Sequence, residues 1–587
     1  MSKNVLGAAA AAVLMAAACA SVPVRPYPGR PAALAAPAYA DPAAPGSYRP
    51  ASFLYASPGN PRRPEYAEPA VATAPVDISA FYPDVDKRYW GYGSAAVPLN
   101  GKVWYPSDGA GPFPLVVCVH GNHEPREPSE FGYDYLGELL ASRGYVFASI
   151  DENFLNGNSA GENDARGILL LEHAKAIFAW NDMPGAPLAG RLDTDKLILV
   201  GHSRGGEAVM HAARFNTMAR YPEDASVVLD YGLPLLGVVA IAPAEGQYRP
   251  AGRKLMPGGV NMLILQGSLD GDVFPYMGLM FYNYAAPAPG RFKVSFWIQG
   301  ANHAQFNTIW AAGQDPSPSF RSALLAAADQ LRIARAAISA FVDLACGRPD
   351  AAAGFFDAPP AAYLPAADYR VQSAYGDDTV LADFEEDADP ATAGLAGWTI
   401  DAAGFGLWTE AEQRIFPKEG PRASIMGLTG IANQNGSWNL RLAWGKPAAK
   451  LKPPAKPDPD ERPAAAATDA APAERRLRLA GPAVAAAALR FDISVDDLAA
   501  PGLLVRIGDL DGASVERPLS DYLDAAPLAG QWLPLAGAEP RTVFETVTLP
   551  LADFGAGAGF SSFELVAVGA DGSIALDNFR FTPGVKP

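Results

Sequence analysis

An apolar run, Leu197-Ile198-Leu199-Val200, passes directly into Gly201-His202-Ser203-Arg204-Gly205-Gly206. It continues without a break into Glu207-Ala208-Val209-Met210-His211-Ala212-Ala213, which has a helical period. A strand that turns at once into a helix needs a bend too tight for side chains on both flanks. Glycines two residues to either side of Ser203 supply the room, and the bend pushes the serine side chain out past the carboxyl end of the strand. Strand, tight turn, helix is the repeating step of a parallel sheet covered by helices on both faces.

The surrounding pattern agrees with that step. Short apolar runs at 113–119, 145–150, 196–200, 237–241, 262–266 and 292–298 alternate with helix-period segments at 133–143, 165–180, 205–220 and 319–344. The expectation is a doubly wound α/β domain over residues 76–348. A proline- and alanine-rich stretch over 21–75 reads as a tether, and another over 349–374 as a linker. Beyond it, over 375–585, the texture becomes all-β. Alternating runs at 379–384, 398–400, 438–444, 487–494, 503–507, 542–549, 562–567 and 574–581 predict a β-sandwich or jelly roll. Residues 446–473 are proline, alanine and charge, and read as a disordered insertion in that second domain.

Composition narrows the functions. At 49% hydrophobic residues there is ample material for packed cores. Sixty-three acidic against 46 basic residues give a formal charge of −17, which disfavours a nucleic-acid partner because a phosphate backbone needs a basic face. The first 20 residues read as an export signal: Lys3, an apolar run from Val5 to Ala18, then a small-residue exit. Ala16-Ala17-Ala18-Cys19 resembles a bacterial lipobox, which would make Cys19 a lipid-carrying N-terminus. Cleavage after Ala20 is the alternative. Secretion, a periplasmic location and a membrane-anchored lipoprotein all follow from such a start. The remaining cysteines, Cys118 and Cys346, are too few for a disulfide framework and are expected to be buried apolar residues.

A serine hydroxyl becomes a nucleophile when a histidine takes its proton, and that histidine needs a carboxylate to hold its tautomer. With the serine on such an elbow, the chain order should be serine, acid, histidine. Four of the six histidines (His120, His123, His173, His202) precede Ser203, and His211 lies on the helix that follows it. His303, in the loop after the run at 292–298, is left as the base. The acid should leave the preceding strand, where Gly267-Ser268-Leu269-Asp270-Gly271-Asp272-Val273 offers two aspartates. Asp270 is preferred for its spacing from Gly267 and Val273, with Asp272 as its competitor. Two main-chain N–H donors must hold the oxyanion. Arg204, after the nucleophile, supplies one; Asn122, in His120-Gly121-Asn122-His123, the other, with His123 as its alternative. No metal is expected, since His-x-x-His here lacks a third ligand at metalloenzyme spacing and Glu124 does not complete a His-Glu-x-x-His motif. Arg204 and Glu207 are expected to form a local ion pair, and Trp297, Phe306 and Trp310 flank the histidine loop.

Together His120-Gly121-Asn122, Gly-His-Ser-Arg-Gly-Gly around Ser203, Gly267-x-x-Asp270 and Ala301-Asn302-His303 resemble the α/β-hydrolase superfamily. Within it they are similar to chlorophyllases, dienelactone hydrolases and polyester hydrolases. The resemblance implies hydrolysis of small-molecule or polymer-linked carboxylic esters through an acyl-enzyme, with no cofactor. The same triad also serves amidases and peptidases. Leu381-Ala382-Asp383-Phe384-Glu385 and Ile574-Ala575-Leu576-Asp577-Asn578-Phe579 resemble the two ends of carbohydrate-binding jelly rolls, which implies a glycan partner for the second domain. A surface lipoprotein that binds glycan without catalysis is the reading from another class.

Overall fold

The computed structural model describes residues 39–583 apart from 58–61, 158–159, 274–275, 311–323, 358–361, 414–436, 446–473, 496–501, 510–513, 524–542 and 557–558. The export signal with Cys19, and the insertion expected at 446–473, lie outside the described residues. No helix among the described residues is long and apolar enough to cross a membrane.

The chain builds one ten-stranded sheet and then two antiparallel ones. The first sheet takes β1 (Pro50–Ala56), β2 (Val71–Ala72), β3 (Gly101–Pro106), β4 (Phe113–Val119), β5 (Val146–Ile150), β6 (Leu192–His202), β7 (Leu235–Ile241), β8 (Asn261–Gly267), β9 (Phe292–Ile298) and β10 (Tyr369–Tyr375). Their spatial order is β10-β9-β8-β7-β6-β4-β5-β3-β1-β2. The six central strands from β9 to β5 run parallel, and β10, β3 and β1 pair antiparallel at the flanks.

Alternate residues of the central strands feed opposite cores. Leu115, Val117, Leu199, Val238 and Ile264 pack with α2 (Asn163–Ala179), α3 (Arg204–Phe215) and α4 (Gly278–Tyr284). Val116, Cys118, Val200, Val239 and Leu263 pack with α1 (Asp134–Ser142) and α5 (Ala327–Ala345). Burial on both faces is why these strands are mostly apolar. Cys118 and Cys346 are buried free thiols.

The sheet passes both ends of the span expected at 76–348. β1, inside the stretch read as a tether, pairs in register with β3 from Pro50 to Tyr55. β10, inside the stretch read as a linker, pairs with β9 along its whole length. In both places proline, alanine and polar residues hid a strand at the edge of a sheet, where the full apolar pattern is not required.

The second domain has eleven strands among the described residues. They are β11 (Thr379–Ala382), β12 (Thr399–Ala403), β13 (Leu407–Glu412), β14 (Trp438–Trp444), β15 (Arg475–Val484), β16 (Ala488–Val495), β17 (Gly502–Asp509), β18 (Ser514–Pro518), β19 (Glu545–Pro550), β20 (Phe560–Val568) and β21 (Gly572–Thr582). One sheet runs β13-β14-β21-β16-β19 with β11 also on β21, and the other runs β12-β15-β20-β17-β18. Leu442, Trp444, Phe491 and Phe579 of the first meet Leu477, Val505, Phe563 and Leu565 of the second in one core. This is a β-sandwich.

The two domains meet through polar groups. β10 presents Arg370 to Glu545 at 2.8 Å, Gln372 to Asp492 at 3.1 Å and the Ser373 N–H to Thr546 Oγ1 at 3.0 Å. Arg490 donates to Ser373 Oγ at 2.5 Å and to Asp357 at 2.9 Å. The outer edge of the large sheet is thereby covered by the sandwich.

Candidate active site

β6 ends at His202, Ser203 follows with φ 60° and ψ −122°, and α3 begins at Arg204. A non-glycine residue in this region costs roughly 1–3 kcal/mol and persists only where its surroundings hold it. Here the Ser203 N–H donates to Ile241 O at 2.9 Å, while its carbonyl accepts from Gly206 at 2.9 Å and Ala244 at 3.1 Å. A Cβ on Gly201 would stand 2.0 Å from Gly205 O, and one on Gly205 would stand 2.5 Å from His120 O. Both glycines are therefore required by close approach of backbone. Gly121 is bound the same way, since a Cβ there would meet Ser203 Cβ at 2.4 Å. The loop after β4 thus lies directly against the elbow.

Asp270 and His303 leave the ends of β8 and β9, and their loops are tied to each other. Leu269 N donates to Ala301 O at 2.9 Å, and Gly300 N donates to Ser268 Oγ at 2.9 Å. His303 Nδ1 lies 2.9 Å from Asp270 Oδ2. The same oxygen accepts from Gln266 Nε2 at 3.0 Å, and Asp270 Oδ1 accepts from the N–H groups of Asp272 and Val273. Asp272 is largely exposed, and its carboxylate stands 3.5 Å from His303 Nε2, the other side of the ring. A carboxylate that orients a base must hold Nδ1, and Asp270 is the one in that position. The His303 ring centroid is 4.8 Å from that of His202, the residue before Ser203.

Trp310 lies parallel to His303 at 6.1 Å and to His123 at 5.0 Å, with interplanar angles of 9° in both cases. All three aromatic residues flanking the histidine loop are buried: Trp310 stacks on His303 and His123, Phe306 packs edge-on against His202 at 6.0 Å, and Trp297 lies in the core on the other face of the sheet. His123 also faces Glu127 at 3.1 Å, and Asn122 beside it is half-buried.

Beneath these groups lies a buried charge network that sequence reasoning missed. Arg63, from the stretch read as a tether, pairs with Asp151 at 2.5 Å and with Glu130. Arg166 faces Glu152 at 3.5 Å and Glu162 at 3.7 Å, and Arg204 donates to Glu162 at 2.5 Å. The expected Arg204–Glu207 pair is not formed. Glu207 instead accepts the N–H groups of Gly246 and Gln247 at 2.8 and 2.9 Å, and the Asn163 amide. Charged residues this deep are retained only when paired or hydrogen-bonded.

His120, Glu130 and Asp151 also bring ligand atoms within 4.8 Å of one another, in the manner of a metal set. Arg63 already neutralises the two carboxylates, and both His120 nitrogens are engaged, by Gly121 O at 2.8 Å and the Glu152 N–H at 3.1 Å. The donors are spoken for within the protein.

Burial, with Glu245 adding to it, pushes the Glu207 carboxyl up to about 7. A glutamate whose folded pKa lies above its unfolded value stabilises the fold fully below about pH 4.5, and that stability is lost as pH rises through about 7. Glu207→Gln keeps the acceptor for residues 246 and 247; its NH2 replaces the oxygen that accepts from Asn163 Nδ2, and a turn of the Asn163 amide brings its otherwise unpartnered Oδ1 to that NH2. The melting temperature of Glu207→Gln relative to the parent should therefore climb between pH 5 and 7.5. A difference that stays flat across that range would remove the assignment.

The sheet order, the elbow and the loops at the carboxyl ends of the strands define the α/β-hydrolase fold. Within it, residues 69–222 match the family model described as PETase, PET hydrolase-like. That match runs from just before β2 past the end of α3, so it contains Ser203, Arg204 and Asn122 and stops short of Asp270 and His303. A search of curated proteins returned no match.

Proposed function

We propose that the chain is an exported serine hydrolase that cleaves carboxylic esters through an acyl-enzyme. The observation that carries this reading is the 2.9 Å contact of Asp270 with His303 Nδ1, beside a serine held at a strained strand-to-helix turn. Ser203 Oγ attacks the ester carbonyl while His303 Nε2 takes its proton, and Asp270 stabilises the resulting imidazolium. The N–H groups of Asn122 and Arg204 hold the oxyanion. The intermediate collapses, the alcohol leaves with the proton from His303, and the acyl group stays on Ser203. Water then adds by the same route and the carboxylic acid departs.

The substrates are small-molecule or polymer-linked esters, and the PET hydrolase-like match brings polyesters into that set. The N-terminal pattern around Cys19 supports export and a lipid anchor, and the sandwich's sequence ends support a glycan partner.

The test is a panel of p-nitrophenyl esters and the matching anilides, together with a fluorophosphonate label. Ester turnover with anilides untouched, and label on Ser203, is the expected result. Anilide cleavage would move the reading to an amidase. A folded parent that neither turns over nor takes the label would leave the non-catalytic, glycan-binding reading.

A further inference from the structure

His120 is buried, is not part of the triad, and has both ring nitrogens committed. Its Nε2 accepts the Glu152 main-chain N–H at 3.1 Å. A main-chain N–H can only donate, so Nε2 carries the lone pair and the proton sits on Nδ1. That Nδ1–H then donates to Gly121 O, 2.8 Å away. The neutral form is secured as well, since burial, with Arg166 nearby, lowers the His120 imidazole to about 3.

The carbonyl it holds belongs to the peptide that joins Gly121 to Asn122. This peptide is trans, so its N–H points opposite to its C=O. Fixing Gly121 O on the buried imidazole turns the Asn122 N–H away from the ring, and no acceptor among the described residues takes it. Gly121 itself lies against Ser203. On the other side of the ring, Glu152 connects through Arg166 and Glu162 to the Arg204 guanidinium. The residues that carry the two oxyanion donors are thus joined by one buried chain: Asn122 through Gly121 and His120, Arg204 through Glu162 and Arg166.

We infer that His120 is a positioning residue that aims the Asn122 N–H at the oxyanion by holding the Gly121 carbonyl in its Nδ1–H bond. This rests on the ester-hydrolase reading of the site. A donor held in place before reaction costs no reorganisation when charge develops, and so it acts on the transition state more than on the bound ester.

The test compares His120→Asn, His120→Gln and His120→Leu in the full chain, on one p-nitrophenyl ester and with a trifluoromethyl ketone as transition-state mimic. Asparagine places an amide N–H where Nδ1 stood, whereas glutamine places its amide near Nε2, where its oxygen accepts the Glu152 N–H and nothing holds Gly121 O. His120→Asn should keep kcat within about fivefold, while His120→Gln and His120→Leu should lose about 100-fold, the usual cost of one oxyanion donor. KM should stay within about twofold in all three. Ketone binding should weaken in step with kcat/KM. Rates are taken per active site titrated with the fluorophosphonate, so partial unfolding does not count as lost chemistry.

Equal rates for the asparagine and glutamine variants would overturn the assignment, as would a loss expressed in KM with kcat intact. If the leucine variant does not fold, the asparagine–glutamine pair still decides. A parent without ester turnover brings down the functional reading and this inference with it, whereas an active parent with indifferent variants brings down the inference alone.

Discussion

Ser203→Ala should lower kcat on a p-nitrophenyl ester by about a million-fold, the loss typical of removing the nucleophile from an assembled triad. The fold should not register the change. Alanine at φ 60° is as strained as serine, and the hydrogen bonds that hold residue 203 come from its main chain. The melting temperature should therefore stay close to that of the parent. Ser203→Gly makes the complementary statement. It is equally inactive, but glycine enters the left-handed region freely, so it should be more stable than the alanine variant by about 1 kcal/mol. Activity measured against melting curves checks both. Residual turnover in Ser203→Ala within a hundredfold of the parent would mean that another group carries the chemistry.

The second large effect separates two aspartates only two residues apart. Asp270→Asn should lower kcat by about ten-thousand-fold, and Asp272→Asn by no more than a few-fold. The reason lies in who donates to whom. Asp270 Oδ1 accepts two main-chain N–H groups, whose direction cannot reverse. An asparagine must keep its oxygen there, so its NH2 faces His303 Nδ1. The imidazole can accept that hydrogen only by moving its own proton to Nε2, and in that tautomer it cannot take a proton from the serine. Asp272 has no such hold on the ring: it is exposed and stands at Nε2. Its removal should shift local electrostatics and leave the tautomer alone. Comparable losses in both variants, read from kcat at saturating ester, would refute the division of roles.

The parts legible in the sequence are those whose signal is local. β4 is legible to the residue because a strand buried on both faces is an unbroken run of apolar side chains. β9 is legible to the residue too, although Lys293 and Ser295 interrupt its apolar run. The elbow was legible because its glycines and serine sit within five positions. What escaped notice depends on partners far along the chain. β10 reads Tyr-Arg-Val-Gln-Ser-Ala-Tyr, which carries no apolar alternation on the face covered by the sandwich. Arg370 and Gln372 are buried there because Glu545 and Asp492, more than a hundred residues away, satisfy them. Arg63 sits in a proline-rich stretch and reads as solvated until Glu130 and Asp151 are seen beside it. The expected Arg204–Glu207 pair followed helical neighbourhood, three positions apart. Tertiary structure offered each a better partner: Glu162 for the arginine and a row of main-chain N–H groups for the glutamate.

Only residues 376–378 separate the end of β10 from the start of β11, and they are pinned. Asp378 accepts from the Tyr375 N–H at 3.0 Å and from Thr582 Oγ1 at 2.8 Å. The last strand of the catalytic sheet therefore runs into the sandwich with no slack. A module on a long flexible leash searches a volume while its enzyme stays loosely nearby. This sandwich is a fixed keel. Any surface it rests on is presented to the Ser203 elbow at one distance and one angle, so reach along that surface must come from movement of the whole molecule. Cutting the chain at 348 to free the hydrolase would strip β9 of its neighbour and lay open a seven-residue strand edge to other copies.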